Sequence, residues 1–201
     1  IKKIYSINPK VLFEVGTEEA IRYFTPDDLD RLLKDLSEFD FFDNIKYAVV
    51  QSGVGLDLGK RVNTGNFDKY RLKEFIRVCK RWGKLSKEHN GDYLTSEDVK
   101  VRFDAGLDSL NIAPEFGQLE TLCYLEHMGD DFEQFYQLCH KSKRWEKWVS
   151  KDFIPHKNKE ELIKICGHYI LSDENFKRIK PNIDDDIKTR IKNKLKELVT
   201  I

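Results

Sequence analysis

Tyr47-Ala48-Val49-Val50-Gln51, running into Ser52-Gly53-Val54-Gly55, is a short apolar run that stops at glycine and polar residues. A run of this length bounded by turn formers reads as a buried strand. Past a loop over residues 56–68, which holds Gly59, Asn63, Gly65 and Asn66, the side chains Leu72, Phe75, Ile76 and Cys79 recur at helical spacing. Strand, polar loop and amphipathic helix make one βα unit. Upstream, Lys10-Val11-Leu12-Phe13-Glu14-Val15 ends at Gly16-Thr17 in the same way. Thr25-Pro26-Asp27-Asp28 then supplies an N-cap, a proline at the first helical position and acids in the first turn. Leu29, Leu32, Leu33 and Leu36 form the apolar stripe of that helix.

Downstream the plan repeats twice. Residues 83–93 make the least apolar run, and Thr95-Ser96-Glu97-Asp98 caps a helix through Val101 and Phe103. Ser109-Leu110-Asn111-Ile112-Ala113 breaks at Pro114, ahead of a helix over Leu119, Leu122, Cys123 and Leu125. Four units of ~32 residues match the size of a βα repeat in a parallel sheet. The expected division is a βα-repeat region over 1–128 and a helical extension packed on it over 129–201. Such units build either a small doubly wound sheet or half of a (β/α)8 barrel, which needs ~250 residues.

Composition narrows the function classes. The chain has 201 residues, 40% hydrophobic and 35% charged, enough apolar content for a folded core. Lys+Arg and Asp+Glu both number 35, so a balanced charge predicts neither nucleic acid nor a membrane as partner. The basic stretch Lys141-Ser142-Lys143-Arg144-Trp145 is local and reads as a solvated helix face. No apolar run approaches the ~18 residues of a membrane-spanning helix, and the first residues lack the apolar core of a signal peptide. Cys79, Cys123, Cys139 and Cys166 are widely spaced and read as reduced, buried thiols of a cytoplasmic protein. The chain opens at Ile1 and its one methionine is Met128, so it reads as a fragment, a processed product or a trimmed chain.

Parallel sheets bind ligands at the C-terminal ends of their strands. Polar residues gather there: Glu14, Gly16, Thr17 and Glu18, then Gln51 and Ser52, then His89, Gly91 and Asp92, then Asn111, Ala113 and Glu115. Side chains alternate along a strand, so Lys87, His89 and Gly91 share one face of theirs, and Glu14, His89 and Asn111 converge at one mouth if the faces point inward. Each has a blander role open to it: Glu14 as a surface acid, His89 as a hydrogen-bonded polar residue, Asn111 as a turn former, the glycines as tight turns. Coincidence at four strand ends favours a shared site. A neutral imidazole beside a carboxylate can hold a divalent metal, zinc being the expectation for His89 with Glu14. Backbone N–H groups around Gly16, Thr17, Gly91, Asn111 and Ala113, with Gln51 and Ser52, can hold a sugar or its phosphate. Asp92, Glu115 or Glu18 can move a proton. Lys87 has the chemistry of a Schiff-base lysine but is set aside for want of a substrate pose. No Walker A, G-x-G-x-x-G or G-x-S-x-G motif is present.

At these residues the sequence resembles the Z-type subunits of tagatose-bisphosphate aldolase, a family related to class II aldolases. The resemblance runs through Phe13-Glu14-Val15-Gly16-Thr17-Glu18, Val49-Val50-Gln51-Ser52-Gly53-Val54, Glu88-His89-Asn90-Gly91-Asp92-Tyr93 and Asn111-Ile112-Ala113-Pro114. His168-Tyr169-Ile170-Leu171-Ser172-Asp173 is similar to a segment that precedes the family's last helix. It implies the C-terminal half of a (β/α)8 TIM-type barrel with a helical tail, the N-terminal half lying elsewhere. It also implies a metal-dependent lyase that cleaves a ketose (bis)phosphate reversibly, with His89 on the metal and Gly91 and Asn111 near the phosphate. The sequence departs from the class II pattern by placing Glu14 and Glu18 where that pattern has a histidine. A second expectation is therefore a non-catalytic subunit that stabilises a catalytic aldolase partner, with the aromatic segment 132–148 as interface. A third is a βα domain that binds a phosphorylated ligand, and a homo-oligomer is expected of any of the three.

Overall fold

Short polar side chains start the helices where the sequence places them. In a computed structural model of the chain, which describes residues 1–16 and 23–199, Thr25 accepts a hydrogen bond from the Asp28 backbone and Asp28 answers on the Thr25 N–H at 2.9 Å. This reciprocal box satisfies two otherwise orphaned donors. Asp28 is held down to about 2 by its bonds from the Thr25 backbone and hydroxyl and by Arg31. Thr95 and Asp98 repeat the box two helices later in the chain. Thr17 and Glu18 lie outside the described residues.

In chain order the elements are α1 (Lys2–Ile7), β1 (Phe13–Val15), α2 (Pro26–Leu36), β2 (Ile45–Val50), β3 (Val54–Asp57), β4 (Val62–Gly65), α3 (Lys69–Arg81), β5 (Leu85–Glu88), α4 (Ser96–Asp104), β6 (Ser109–Leu110) and α5 (Pro114–His127). Helices α6 (Phe132–Ser142), α7 (Lys159–Cys166), α8 (Glu174–Ile179) and α9 (Asp184–Val199) complete the chain. The long loop expected over 56–68 is instead the ribbon β3–β4. Gly55 and Gly65 dilute its strand signal, and Gly65 adopts φ +85°, where a Cβ would meet the Gly53 carbonyl oxygen at 2.2 Å.

The main sheet, among the described residues, is four-stranded, parallel and ordered β1-β2-β5-β6. Each strand is followed in space by the next strand of the sheet, with no reversal. Parallel crossovers are right-handed, so three crossovers in one direction lay their helices on one face. Leu29 and Leu33 of α2 and Leu72, Phe75, Ile76 and Cys79 of α3 accordingly share one core with Ala48 and Val50 of β2. Burying each such side chain contributes on the order of 1.5–3 kcal/mol. The doubly wound alternative requires a switch point, and these four strands contain none.

The chain clusters into two compact units, Ile1–Leu56 with Asn63–Asn111, and Asp57–Val62 with Ile112–Ile201. Helix α5, fourth of the βα series in chain order, is thus grouped by its contacts with the helices after Gly129. Its Cys123 and Tyr124 share a core with Phe135, Tyr136, Cys139, Leu162, Ile163, Cys166 and Phe176. The aromatic segment expected as an interface therefore spends Phe135 and Tyr136 on the interior of its own unit. All four cysteines are free and buried, and burial pushes the Cys79 thiol up to about 12. Among the described residues no helix is long and apolar enough to cross a membrane.

His168 gives the second unit a pH-dependent stability. Both its ring nitrogens are buried and have no hydrogen-bond partner among the described residues, and Gly117 packs so closely that a Cβ there would sit 2.8 Å from the His168 Cβ. Burial, helped by the Lys147 cation, pushes its pKa down from 6.5 to about 4. The unfolded chain then binds the extra proton more readily than the folded one between those values. Stability is full above pH 6.5 and is lost as pH falls towards 4, by on the order of 2 kcal/mol after discounting for partial exposure. Thermal melts from pH 7 to 4 should decline in the wild type and flatten in His168→Leu; equal slopes would remove His168 as the cause.

Candidate active site

The face of the sheet turned away from the helices is polar at its C-terminal end. Pairing of Glu14 with Tyr47, of Val49 with Lys87 and of Lys87 with Ser109 sets these side chains on one side. Glu14 and Lys87 stand on strands separated by β2, roughly 10 Å across the sheet. Both side chains reach over Val49 and meet. The Lys87 ammonium donates to Glu14 Oε2 at 2.5 Å, and His89 Nε2 lies 2.6 Å from Glu14 Oε1. A carboxylate can only accept, so the imidazole carries its proton on Nε2 in this contact. Lys87 Nζ also stands 5.5 Å from the Tyr47 ring centroid.

Burial alone would push the Glu14 carboxyl up, but hydrogen bonds and charge from Lys87 and His89 outweigh it and hold the group below the usual carboxylate range. The three side chains keep a fifth to a third of their surface, 21% for Lys87 and 31% for Glu14 and His89, so a small molecule can reach them.

The opposite face of the same strand ends is closed. Glu88, next to Lys87, points among the helices and accepts from Ser52 Oγ at 2.8 Å and from Arg102 Nε at 3.0 Å. The Arg102 guanidinium lies over the Phe67 ring at 4.0 Å. Beyond β5, Asn90 and Tyr93 take φ +59°, and the Asn63 amide bonds the carbonyls of Asn90 and Asp92 at 2.6 and 3.0 Å. Carbonyls tied in this way pin the loop that carries His89.

Several expected ligand contacts are occupied by the fold itself. Gln51 is buried, and its oxygen accepts from the Phe24 N–H at 2.8 Å and from Arg71 at 3.0 Å. Ser52 is committed to Glu88. Gly91 donates its N–H to the Asn111 carbonyl, and a Cβ there would meet Leu110 Cγ at 2.5 Å, so its small size serves close packing of β5 on β6. Gly16 likewise lets β1 approach β2, where a Cβ would lie 2.4 Å from Val49 Cβ. Asp92 is 1% exposed, a poor position for a group that must reach substrate. Asn111 continues the sheet face of Lys87, its backbone bonded to Glu88 and Gly91 and its side-chain amide without a hydrogen bond among the described residues. In the second unit Ala113 is the residue before α5, and Glu115 pairs with Lys194 of α9 at 3.2 Å.

Among the described residues the donors at the strand ends are His89 and Glu14. A catalytic zinc takes three protein ligands and keeps one open position. Among the described residues no group of three His, Cys, Asp or Glu is placed to hold an ion, and an ammonium already occupies the one carboxylate beside His89. A cavity of about 340 Å3 lined by Tyr5, Phe39 and Phe41 lies before the start of β2, the end of the sheet opposite to the polar array.

No protein-family model and no curated protein matches the sequence. Solved structures do match in fold. A probable tagatose 6 phosphate kinase from Sinorhizobium meliloti 1021 is similar with a TM-score of 0.55 at 16% identity, over 79% of this chain and 46% of that one. The fructuronate-tagaturonate epimerase UxaE from Cohnella laeviribosi is similar with a TM-score of 0.54 at 12% identity, over 98% of this chain and 45% of that one. The chain spans less than half the length of either.

Proposed function

We propose that this chain acts on a phosphorylated ketose at the polar strand ends, by reversible aldol cleavage, and that its four strands form one half of a (β/α)8 barrel. The observation that carries the reading is the Lys87–Glu14–His89 array, joined across three parallel strands on the face that helices leave open. In a barrel that face is the interior and those strand ends are the mouth where reactions occur. The unbroken strand order and the greater length of both similar structures support the half-barrel. Their names, a tagatose phosphate kinase and an epimerase of keto-sugar acids, support a sugar substrate.

Aldol cleavage needs a base for the hydroxyl proton of the carbon that leaves and a sink for the electrons of the broken bond. Glu14 and His89 supply the base, within hydrogen-bond reach of each other and of solvent. Asn111, continuing the same face, offers its free amide to a sugar hydroxyl or phosphate. A metal sink finds too few ligands among the described residues, and no step is assigned to one. In a coupled assay on ketose 1,6-bisphosphates, His89→Ala should lower the cleavage rate about 10²–10⁴-fold. An unchanged rate would take His89 out of the reaction.

A non-catalytic subunit is the second reading. β1 and β6 are the outer strands of the sheet among the described residues, and Leu12, which directly precedes β1, is 60% exposed, so that edge is open to pairing with a further barrel strand or a second copy. Cleavage seen only after adding a catalytic aldolase partner would favour it.

A further inference from the structure

Two observations about Lys87 have no place in a metal-centred site. Its amine is directed across β2 to the centre of the polar array instead of out to solvent, and it holds one Glu14 oxygen while His89 holds the other. It is also the one nitrogen nucleophile in the array that can bond covalently to a ketone and hold the electrons of a breaking bond. We infer that Lys87 forms an iminium with the carbonyl of the ketose substrate, taking the role of electron sink that a metal would otherwise fill. The inference rests on the aldol reading for its substrate, and on the 2.5 Å Lys87–Glu14 contact for its chemistry.

The steps balance without any oxidant or reductant. Lys87 passes one proton to Glu14 across their hydrogen bond and attacks the carbonyl carbon; the C–N bond forms, and the carbonyl electron pair goes to oxygen, which takes that proton back. The carbinolamine nitrogen releases its proton to Glu14, and the hydroxyl leaves as water when the proton returns to it, giving C=N⁺. Glu14, backed by His89 on its other oxygen, then accepts the proton of the hydroxyl two carbons from the iminium carbon. The bond from that hydroxyl-bearing carbon to the carbon next to the iminium breaks, an aldehyde departs, and the bonding pair flows into an enamine on Lys87. Glu14 returns its proton to the enamine carbon, and water hydrolyses the new iminium to release the second product and restore the Lys87 ammonium. The water lost on forming the adduct equals the water consumed on releasing it.

Neighbouring lysines differ in ways that make the assignment specific. Lys84 is buried and donates to the Phe42 carbonyl, so it cannot reach a ligand. Lys46 also stands beside the Tyr47 ring, 5.4 Å from its centroid, but among the described residues it makes no contact with a carboxylate. Among the lysines of the described residues, Lys87 alone combines a parallel strand end, a partial exposure of 21% and a carboxylate in hydrogen-bond contact.

Reductive trapping tests the inference. The full chain is incubated with dihydroxyacetone phosphate and borohydride, and the adduct is located by peptide mass spectrometry. The expected result is one reduced triose phosphate on Lys87, with labelling at that position lost in Lys87→Arg, which keeps the cation beside Glu14. Folding of the variant is checked by its thermal melt. Labelling spread over surface lysines and equal in both proteins overturns the inference. Cleavage that persists in Lys87→Arg, or that chelators abolish, overturns it while leaving the aldol reading intact. Trapping at Lys87 without cleavage of any ketose bisphosphate supports the iminium and overturns the aldol reading instead.

Discussion

Replacing Arg102 by methionine is expected to lower the unfolding free energy by about 3–5 kcal/mol, the range for removing one partner of a buried ion pair. Arg102 and Glu88 are among the most buried charges of the first unit, with side chains 2% and 1% exposed and 3.0 Å between Nε and Oε1. The variant leaves a carboxylate in the interior with Ser52 as its remaining neutral donor among the bonds described above. It also removes the bond from Arg102 to the Asp98 carbonyl at 2.9 Å and the stacking over Phe67. The double variant Glu88→Leu/Arg102→Met should recover most of the loss, because no charge is then buried and the volume is roughly kept. Urea titrations of the three proteins, followed by far-ultraviolet circular dichroism, measure both quantities. A single variant within about 1 kcal/mol of wild type would show that the pair is dispensable. The consequence for function follows from alternation. Glu88 precedes His89 and follows Lys87, so a loosened Glu88 frees the strand end on which both site residues stand.

What the sequence reveals here is local, and what it hides is long-range. Thr25 and Asp28, or Thr95 and Asp98, sit three residues apart, and their capping boxes form as the spacing predicts. The alternation that places Glu14, Lys87 and His89 on one face needs only a period of two, and the structure brings the three side chains together. Gln51 and Ser52 share the strand-end signature, and their side chains bond Phe24, Arg71 and Glu88 of other elements, partners that no local pattern announces. Glu115 has the composition of a proton donor, yet its partner Lys194 is near the end of the chain. The Lys87 amine was visible as a strand-end lysine; its carboxylate partner, two strands away, was the missing signal. Ribbon β3–β4 escaped because glycine-rich strands of four residues look like loops.

Glu14 is the hinge of the whole reading, since Lys87 holds one of its oxygens and His89 the other. Glu14→Gln keeps the shape and removes the charge, so Lys87 loses its counter-ion and proton acceptor, and His89 the group that orients it. Being 31% exposed, the carboxylate contributes at most about 1 kcal/mol to stability, and the thermal midpoint should move little. The catalytic loss is expected to be much larger, about 10²–10⁴-fold, as for removal of a positioned acid–base group. The deciding measurement is the rate of triose phosphate release from ketose 1,6-bisphosphates by the wild-type chain and by Glu14→Gln at matched folded concentration. The account predicts turnover by the wild type that falls at least about a hundredfold in the variant. Equal rates in the two proteins, or no release by either, would contradict it.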